Sequence, residues 1–168
     1  MSQAEQGVSN DRYAVIPRTL TFVFNGSKVL LIKGAANKRL WANLYNGIGG
    51  HVEKGEDVLS SARRELREET GLSIDDLSLA GVVVIDAGSP TGIELFVFKA
   101  VYNGEAIVPS SEGGLEWIEV GQIDRLKTVE DLPVVLPMVY NHQPGEALFW
   151  GRYWYHAKGN LQTQFIKG

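Results

Sequence analysis

Between residues 50 and 72 the chain reads Gly-His-Val-Glu-Lys-Gly-Glu-Asp-Val-Leu-Ser-Ser-Ala-Arg-Arg-Glu-Leu-Arg-Glu-Glu-Thr-Gly-Leu, and few backbone arrangements accommodate that string. A glycine-rich loop, 49–56, leads into a segment where Glu65, Glu68 and Glu69 stand at i, i+3 and i+4, so in a helix the three acids share one face. At about 100° per residue, Val58, Leu59, Ala62 and Leu66 fall on one arc and the three glutamates on the arc beside it. The acids therefore border a core. Gly71 supplies the residue at which such a helix closes.

Like charges at these spacings disfavour a helix by about 0.2–0.5 kcal/mol per pair, so the crowding calls for positive charge opposite it. Two sources answer that demand. Arg64, four residues before Glu68, and Arg63 beside it give the alternating charge of a solvated, ion-paired helix. A hard divalent cation such as Mg²⁺, which takes carboxylate and carbonyl oxygens and keeps several waters, also suits clustered glutamates next to a loop carbonyl. The second source brings phosphate chemistry with it.

At 168 residues and 44% hydrophobic content the chain suits one domain, expected over 12–168 behind a disordered tail at 1–11. A net charge of -4 and a pI near 5.4 argue against a duplex nucleic-acid surface, which needs clustered Lys and Arg, but not against free nucleotides. The absence of cysteine removes disulfides, thiol nucleophiles and zinc-thiolate sites. No apolar run approaches membrane length and the polar start lacks a signal-peptide core, so a cytoplasmic location is expected. The β-rich runs 12–24 and 28–33, separated by Asn25-Gly26, predict an antiparallel hairpin. Further strands are expected at 40–45, 79–86, 93–102 and 115–120, a short helix at 134–140, and a closing hairpin of 148–157 and 161–166. Strands outnumber helices, which reads as α+β with helices on a mixed sheet.

Gly50, five residues, Glu56, seven residues, Arg64-Glu65-Leu66, one residue, Glu68-Glu69, one residue and Gly71-Leu72 resembles the Nudix box of the Nudix hydrolases at every defined position. The resemblance implies an α/β/α sandwich with a mixed β-sheet and a catalytic loop-helix-loop. It also implies Mg²⁺-dependent, or Mn²⁺-dependent, cleavage of a nucleoside diphosphate linked to another group, by water attacking phosphorus. In that family the metal sits on acids of the box helix and a loop carbonyl, which maps to Glu65, Glu68, Glu69 and Gly50. Glu68 and Glu69 become the main ligands, Glu65 a ligand or general base, and Arg64 its orienter; Gly49 and Glu56 support the loop. MutT-type members recruit a downstream acid as well, for which Glu112 is the candidate and Glu116 the substitute.

Tyr45-Asn46-Gly47-Ile48-Gly49-Gly50 resembles the Trp-Asn-Gly-Phe-Gly-Gly of the oxidised purine nucleoside triphosphatases. That likeness makes Asn46 the reader of the purine, since a carboxamide offers both donor and acceptor. Glu130 and Asp131 match the adjacent acids that hold the base, and His51 stands where those relatives place a lysine at the phosphates. The reading favoured is hydrolysis of an oxidised purine triphosphate, 8-oxo-dGTP-like, to monophosphate and pyrophosphate. The alternative is cleavage of ADP-ribose or another nucleoside diphosphate conjugate, for which Pro90 lies in a suggestive region. A non-catalytic nucleotide sensor ranks last, because all the box acids are present. The partner implied is a small-molecule nucleotide, with the chain a monomer or homodimer. Trp117 and Trp154 read as core or sheet-face residues, and His142 and His156 as surface or edge residues.

Overall fold

The computed structural model describes residues 11–37, 40–108, 113–157 and 159–168, together with Gly7. The expected tail lies outside them except for Gly7 and Asp11, and Glu112 lies outside them too. In chain order the elements are strands β1 (Ala14–Asn25), β2 (Lys28–Gly34) and β3 (Tyr45–Asn46), helix α1 (Val58–Thr70), strands β4 (Leu77–Ile85), β5 (Thr91–Val101) and β6 (Gly113–Glu119), a 3-10 turn (Val120–Arg125), helix α2 (Leu132–Asn141) and strands β7 (Phe149–Tyr155) and β8 (Leu161–Lys167). The strands form one mixed sheet in the order β3-β2-β1-β5-β4-β7-β8, with β6 also pairing β2. The β1–β5 and β4–β7 pairs are parallel and the others antiparallel.

Alternation along β1 sends Phe22 and Phe24 to one face and Val23 to the other. On the first face α2 buries Leu132, Val135, Leu136 and Val139. On the second, Ala62 and Leu66 of α1 pack with Val23, Leu30 and Ile48. Helices on both faces make the α/β/α sandwich. No helix among the described residues is long and apolar enough to cross a membrane.

The feature that positions the site is a fork in the sheet. The β1–β2 ladder covers only Val23–Leu30 to Asn25–Lys28, and the segment 47–51 fills the gap that opens beyond it. Thr21 and Ile48 exchange backbone hydrogen bonds, and Thr19 N–H donates to Gly50 O at 2.9 Å. A Cβ on Gly47 would stand 2.8 Å from both Leu20 and Phe22, and one on Gly49 would overlap the Thr19 carbonyl, so the wedge closes only with glycine there.

Three expectations need correction. The strand expected at 40–45 shrinks to Tyr45–Asn46, because Trp41 and Asn43 both take φ of 60°, incompatible with extended pairing. Val120 opens the 3-10 turn instead of ending a strand. Helix α2 begins at Leu132, before the expected 134, since a proline at the first helical positions lacks only an N–H that would have no intrahelical partner.

Candidate active site

Helix α1 starts where Asp57 caps it, its carboxylate accepting from the N–H groups of Leu59 and Ser60 at 2.9 Å. It ends at Gly71, in the left-handed conformation with its N–H on Arg67 O. Between these stops Arg64 ties the helix to the loop. Its Nε donates to Glu56 Oε1 at 2.7 Å, one terminal nitrogen donates to Glu65 at 2.8 Å and Glu68 at 3.1 Å, and the other reaches His51 O at 3.0 Å. The hydrogen bond from Arg64 holds the Glu56 carboxyl down at about 2, helped by the N–H of Glu53. The same carboxylates push the guanidinium of Arg64 further above its ordinary value.

The positive charge demanded by the acid face is thus supplied first by Arg64. Glu65 lies against the loop, close enough that a Cβ on Gly50 would overlap its carboxylate, and Gly49 N–H donates to Glu69 Oε2 at 3.1 Å. Glu69 is buried and Glu68 stands out in solvent. Among the described residues no three His, Cys, Asp or Glu side chains converge tightly enough to enclose an ion. The donor chemistry nonetheless fits Mg²⁺ or Mn²⁺: Glu65, Glu68 and Glu69 are all hard oxygen donors carried on one face, and the Gly50 carbonyl belongs to the loop they touch.

The two glycines should respond differently to an added methyl. In Gly49→Ala the Cβ meets backbone that cannot yield, whereas in Gly50→Ala it meets the movable end of Glu65. Overpacking costs about 1–3 kcal/mol, roughly 2–4 °C of thermal midpoint per kcal/mol at this size. Thermal unfolding should show the larger drop for Gly49→Ala, with Gly50→Ala folded but impaired through a displaced Glu65. Equal midpoints would contradict that assignment.

On the α2 side of the wedge lies a cavity of about 410 Å³, in the range of small-molecule sites. Leu20, Ile85, Ile93 and Leu95 give it apolar walls, and Asn46, Glu130 and Asp131 all line it although 84 residues separate the first pair in sequence. The Asn46 side-chain oxygen accepts from Gly47 N–H at 2.8 Å. Burial pushes the Asp131 carboxyl above its usual range. The Tyr153 hydroxyl is buried beside Asp131, and burial with that neighbouring charge raises it strongly.

Glu116 goes elsewhere: it accepts from Tyr45 Oη at 2.7 Å, on the α2 side of β6, while its neighbours Leu115 and Trp117 pack toward α1. It does not join the glutamates. Trp117 packs edge-on against Tyr102 at 5.1 Å, and Trp154 stacks under Arg152, so neither lines the cavity. His142 is buried, a correction to its expected surface place, because its backbone carbonyl and that of Tyr140 both accept from Lys99 Nζ beneath α2. His51 contributes its backbone carbonyl, on Arg64 and Ser61, while its side chain is exposed. Arg18, Trp41, Tyr153 and Tyr155 line the cavity and were missed from sequence. For the tyrosines a signal existed, since alternation along β7 puts residues 149, 151, 153 and 155 on one face.

The sequence matches the family model described as NUDIX domain over residues 16–139. It is 35% identical over 106 residues, 62% of this chain and 67% of the relative, to an oxidized purine nucleoside triphosphate hydrolase of Mus musculus. It is 38% identical over 104 residues, 59% of this chain and 63% of the relative, to the uncharacterized Nudix hydrolase YvcI of Bacillus subtilis strain 168. The crystal structure of a MutT protein from Bacillus halodurans superposes with a TM-score of 0.74, covering 89% of this chain and 97% of that one at 24% identity.

Proposed function

The chain belongs to the NUDIX domain family and is a Nudix hydrolase, and from that premise we propose that it hydrolyses an oxidised purine nucleoside triphosphate of the 8-oxo-dGTP kind to the monophosphate and pyrophosphate. One observation carries the reading. The loop from Asn46 to His51 has one end in the cavity and the other on the acid helix, so a nucleotide read at Asn46 has its phosphates directed toward Glu65, Glu68 and Glu69. The purine choice rests on Asn46 with Asp131 and Glu130 in one cavity, and on the substrate named for the mouse relative.

In this reading Glu65 receives the proton of the attacking water as its oxygen bonds to phosphorus and the bond to the bridging oxygen between the α- and β-phosphoryl groups breaks. Arg64 holds Glu65 in place from the side of Glu56 and the loop. Glu65, Glu68, Glu69 and the Gly50 carbonyl would hold Mg²⁺ or Mn²⁺, which when bound supplies positive charge to phosphate oxygens and acidifies water. The apolar walls exclude water from the base, so a mismatched edge leaves Asn46 or Asp131 unsatisfied and is rejected.

The test is pyrophosphate and phosphate release with Mg²⁺ from a panel of canonical and 8-oxo triphosphates, ADP-ribose and dinucleotides. The expected outcome is a preference for 8-oxo-dGTP, with pyrophosphate as product. Turnover confined to ADP-ribose or another conjugate would replace this reading by the conjugate one, and inertness across the panel would leave a nucleotide sensor.

A further inference from the structure

Arg18 stands where the cavity meets the acid helix. It lies on β1 directly opposite His51, in a bridge flanked by the Thr19 N–H to Gly50 O bond at 2.9 Å and the Val52 N–H to Pro17 O bond at 3.1 Å. Residues facing one another across such a pair project to the same side. Its guanidinium lies 5.4 Å over the ring of Trp41, and both residues line the cavity. Burial lowers its pKa and the negative charge of Glu65 opposes that shift, which places Glu65 within electrostatic reach. Yet Arg64 takes the close ion pairs of Glu56, Glu65 and Glu68, and no described carboxylate lies within ion-pair distance of Arg18.

Trp41 is held in place at some conformational expense. A bulky residue with φ of 60° is rare, and Trp41 leaves 43% of its surface exposed. Its loop is closed by Asn43 N–H on Gly34 O at 2.9 Å, Gly34 N–H on Leu44 O and Leu44 N–H on Trp41 O, both at 3.0 Å. Gly34 is required there, since a Cβ would overlap the Trp41 carbonyl. Backbone held in a sparsely populated region by several surrounding bonds is characteristic of ligand clamps.

We propose that Arg18, held over the ring of Trp41, binds the phosphate chain of the substrate between the cavity and the acid helix, in place of a cation at position 51. The inference rests on the nucleotide reading above and adds the residue that reads the phosphates. A guanidinium presents two parallel N–H groups to two phosphate oxygens, which an imidazole does not. Trp41 is a positioning residue, keeping the guanidinium from turning toward Glu65.

Titration calorimetry with inorganic tripolyphosphate, 8-oxo-dGTP and 8-oxo-deoxyguanosine tests this on the full chain. Losing charge-assisted hydrogen bonds at Arg18→Gln should weaken tripolyphosphate and 8-oxo-dGTP by about 10–100-fold, with nucleoside affinity unchanged. Arg18→Lys should recover only part of the loss. Trp41→Ala should raise the KM for 8-oxo-dGTP severalfold more than it lowers kcat, with rescue by Trp41→Phe. Equal weakening of nucleoside and triphosphate, or none of either by Arg18→Gln with thermal midpoint unchanged, would overturn the proposal. Arg18-dependent tripolyphosphate binding without tighter binding of 8-oxo-dGTP would instead sink the purine reading and leave Arg18 as the phosphate residue.

Discussion

Glu69→Gln and Glu65→Gln should each lower kcat by about 10²-fold or more, with the thermal midpoint shifted by only a few degrees. The amide keeps the shape of the side chain and one acceptor oxygen. In Glu69→Gln the bond from Gly49 N–H therefore survives, and in Glu65→Gln the contact with Arg64 persists without its charge. What disappears is negative charge beside the loop carbonyl, the property on which proton acceptance and cation binding both depend. Lys54→Gln, at the exposed tip of the loop, serves as the neutral control and should leave kcat within twofold. An unchanged kcat in both glutamate variants would remove the acid face from the chemistry and return it to the surface-lacing alternative.

Arg64 makes that distinction sharper than sequence allowed. From spacing alone, ion-paired helix and cation site were alternatives. In the structure one arginine spans Glu56, Glu65, Glu68 and the His51 carbonyl, so the lacing itself fixes where the glutamates point. The ion-paired helix is thus compatible with a cation site, since the lacing orients the acids that such a site would use. A lysine at 64 has no fork to span four acceptors, which is why arginine stands there.

How much was legible follows from how local each feature is. The α1 cap at Asp57, the close at Gly71 and the face shared by Glu65, Glu68 and Glu69 are set by neighbours within a few residues, and the helical period displays them. The family resemblance extended that to fold and chemistry. The cavity was only partly visible, because its walls come from β1, β3, β4, β5, β7, β8 and the loops between them, and nothing in a one-dimensional pattern brings Arg18 beside Trp41 or Tyr153 beside Asp131. The residues 40–45 mislead for a specific reason. Leu40, Trp41 and Tyr45 favour strands, but hydrogen bonds to Gly34 bend the chain into two left-handed residues before Tyr45 can pair with Lys33. Glu116, the substitute for Glu112, shows how much one position along β6 decides: a shift of one residue moves a side chain to the opposite face, and Glu116 accepts from Tyr45 on the α2 side.

The second large effect should be on base reading, and pH exposes it. Burial holds the Asp131 carboxyl above its ordinary value of 3.8, with the charge of Glu130 also raising it. Below the raised value Asp131 is a hydroxyl donor, and above it only an acceptor. Affinity for 8-oxo-deoxyguanosine, which carries no phosphates to titrate, should fall as pH rises from 3.8 through the raised value. Asp131→Asn carries a permanent N–H donor in the same shape and should flatten that slope. Asn46→Ala should weaken binding of the oxidised purine by about 10–100-fold, the loss expected when a buried hydrogen-bonding edge is left unmatched, and weaken a pyrimidine nucleoside far less. The fold should respond with the same sign: a carboxyl whose folded value is raised binds its proton more tightly in the folded state, so this group's contribution to stability declines as pH climbs from 3.8 through the raised value. If the slope persists in Asp131→Asn, or if Asn46→Ala weakens every base equally, the cavity holds the nucleotide by shape and apolar contact alone, and the purine preference must come from another part of the molecule.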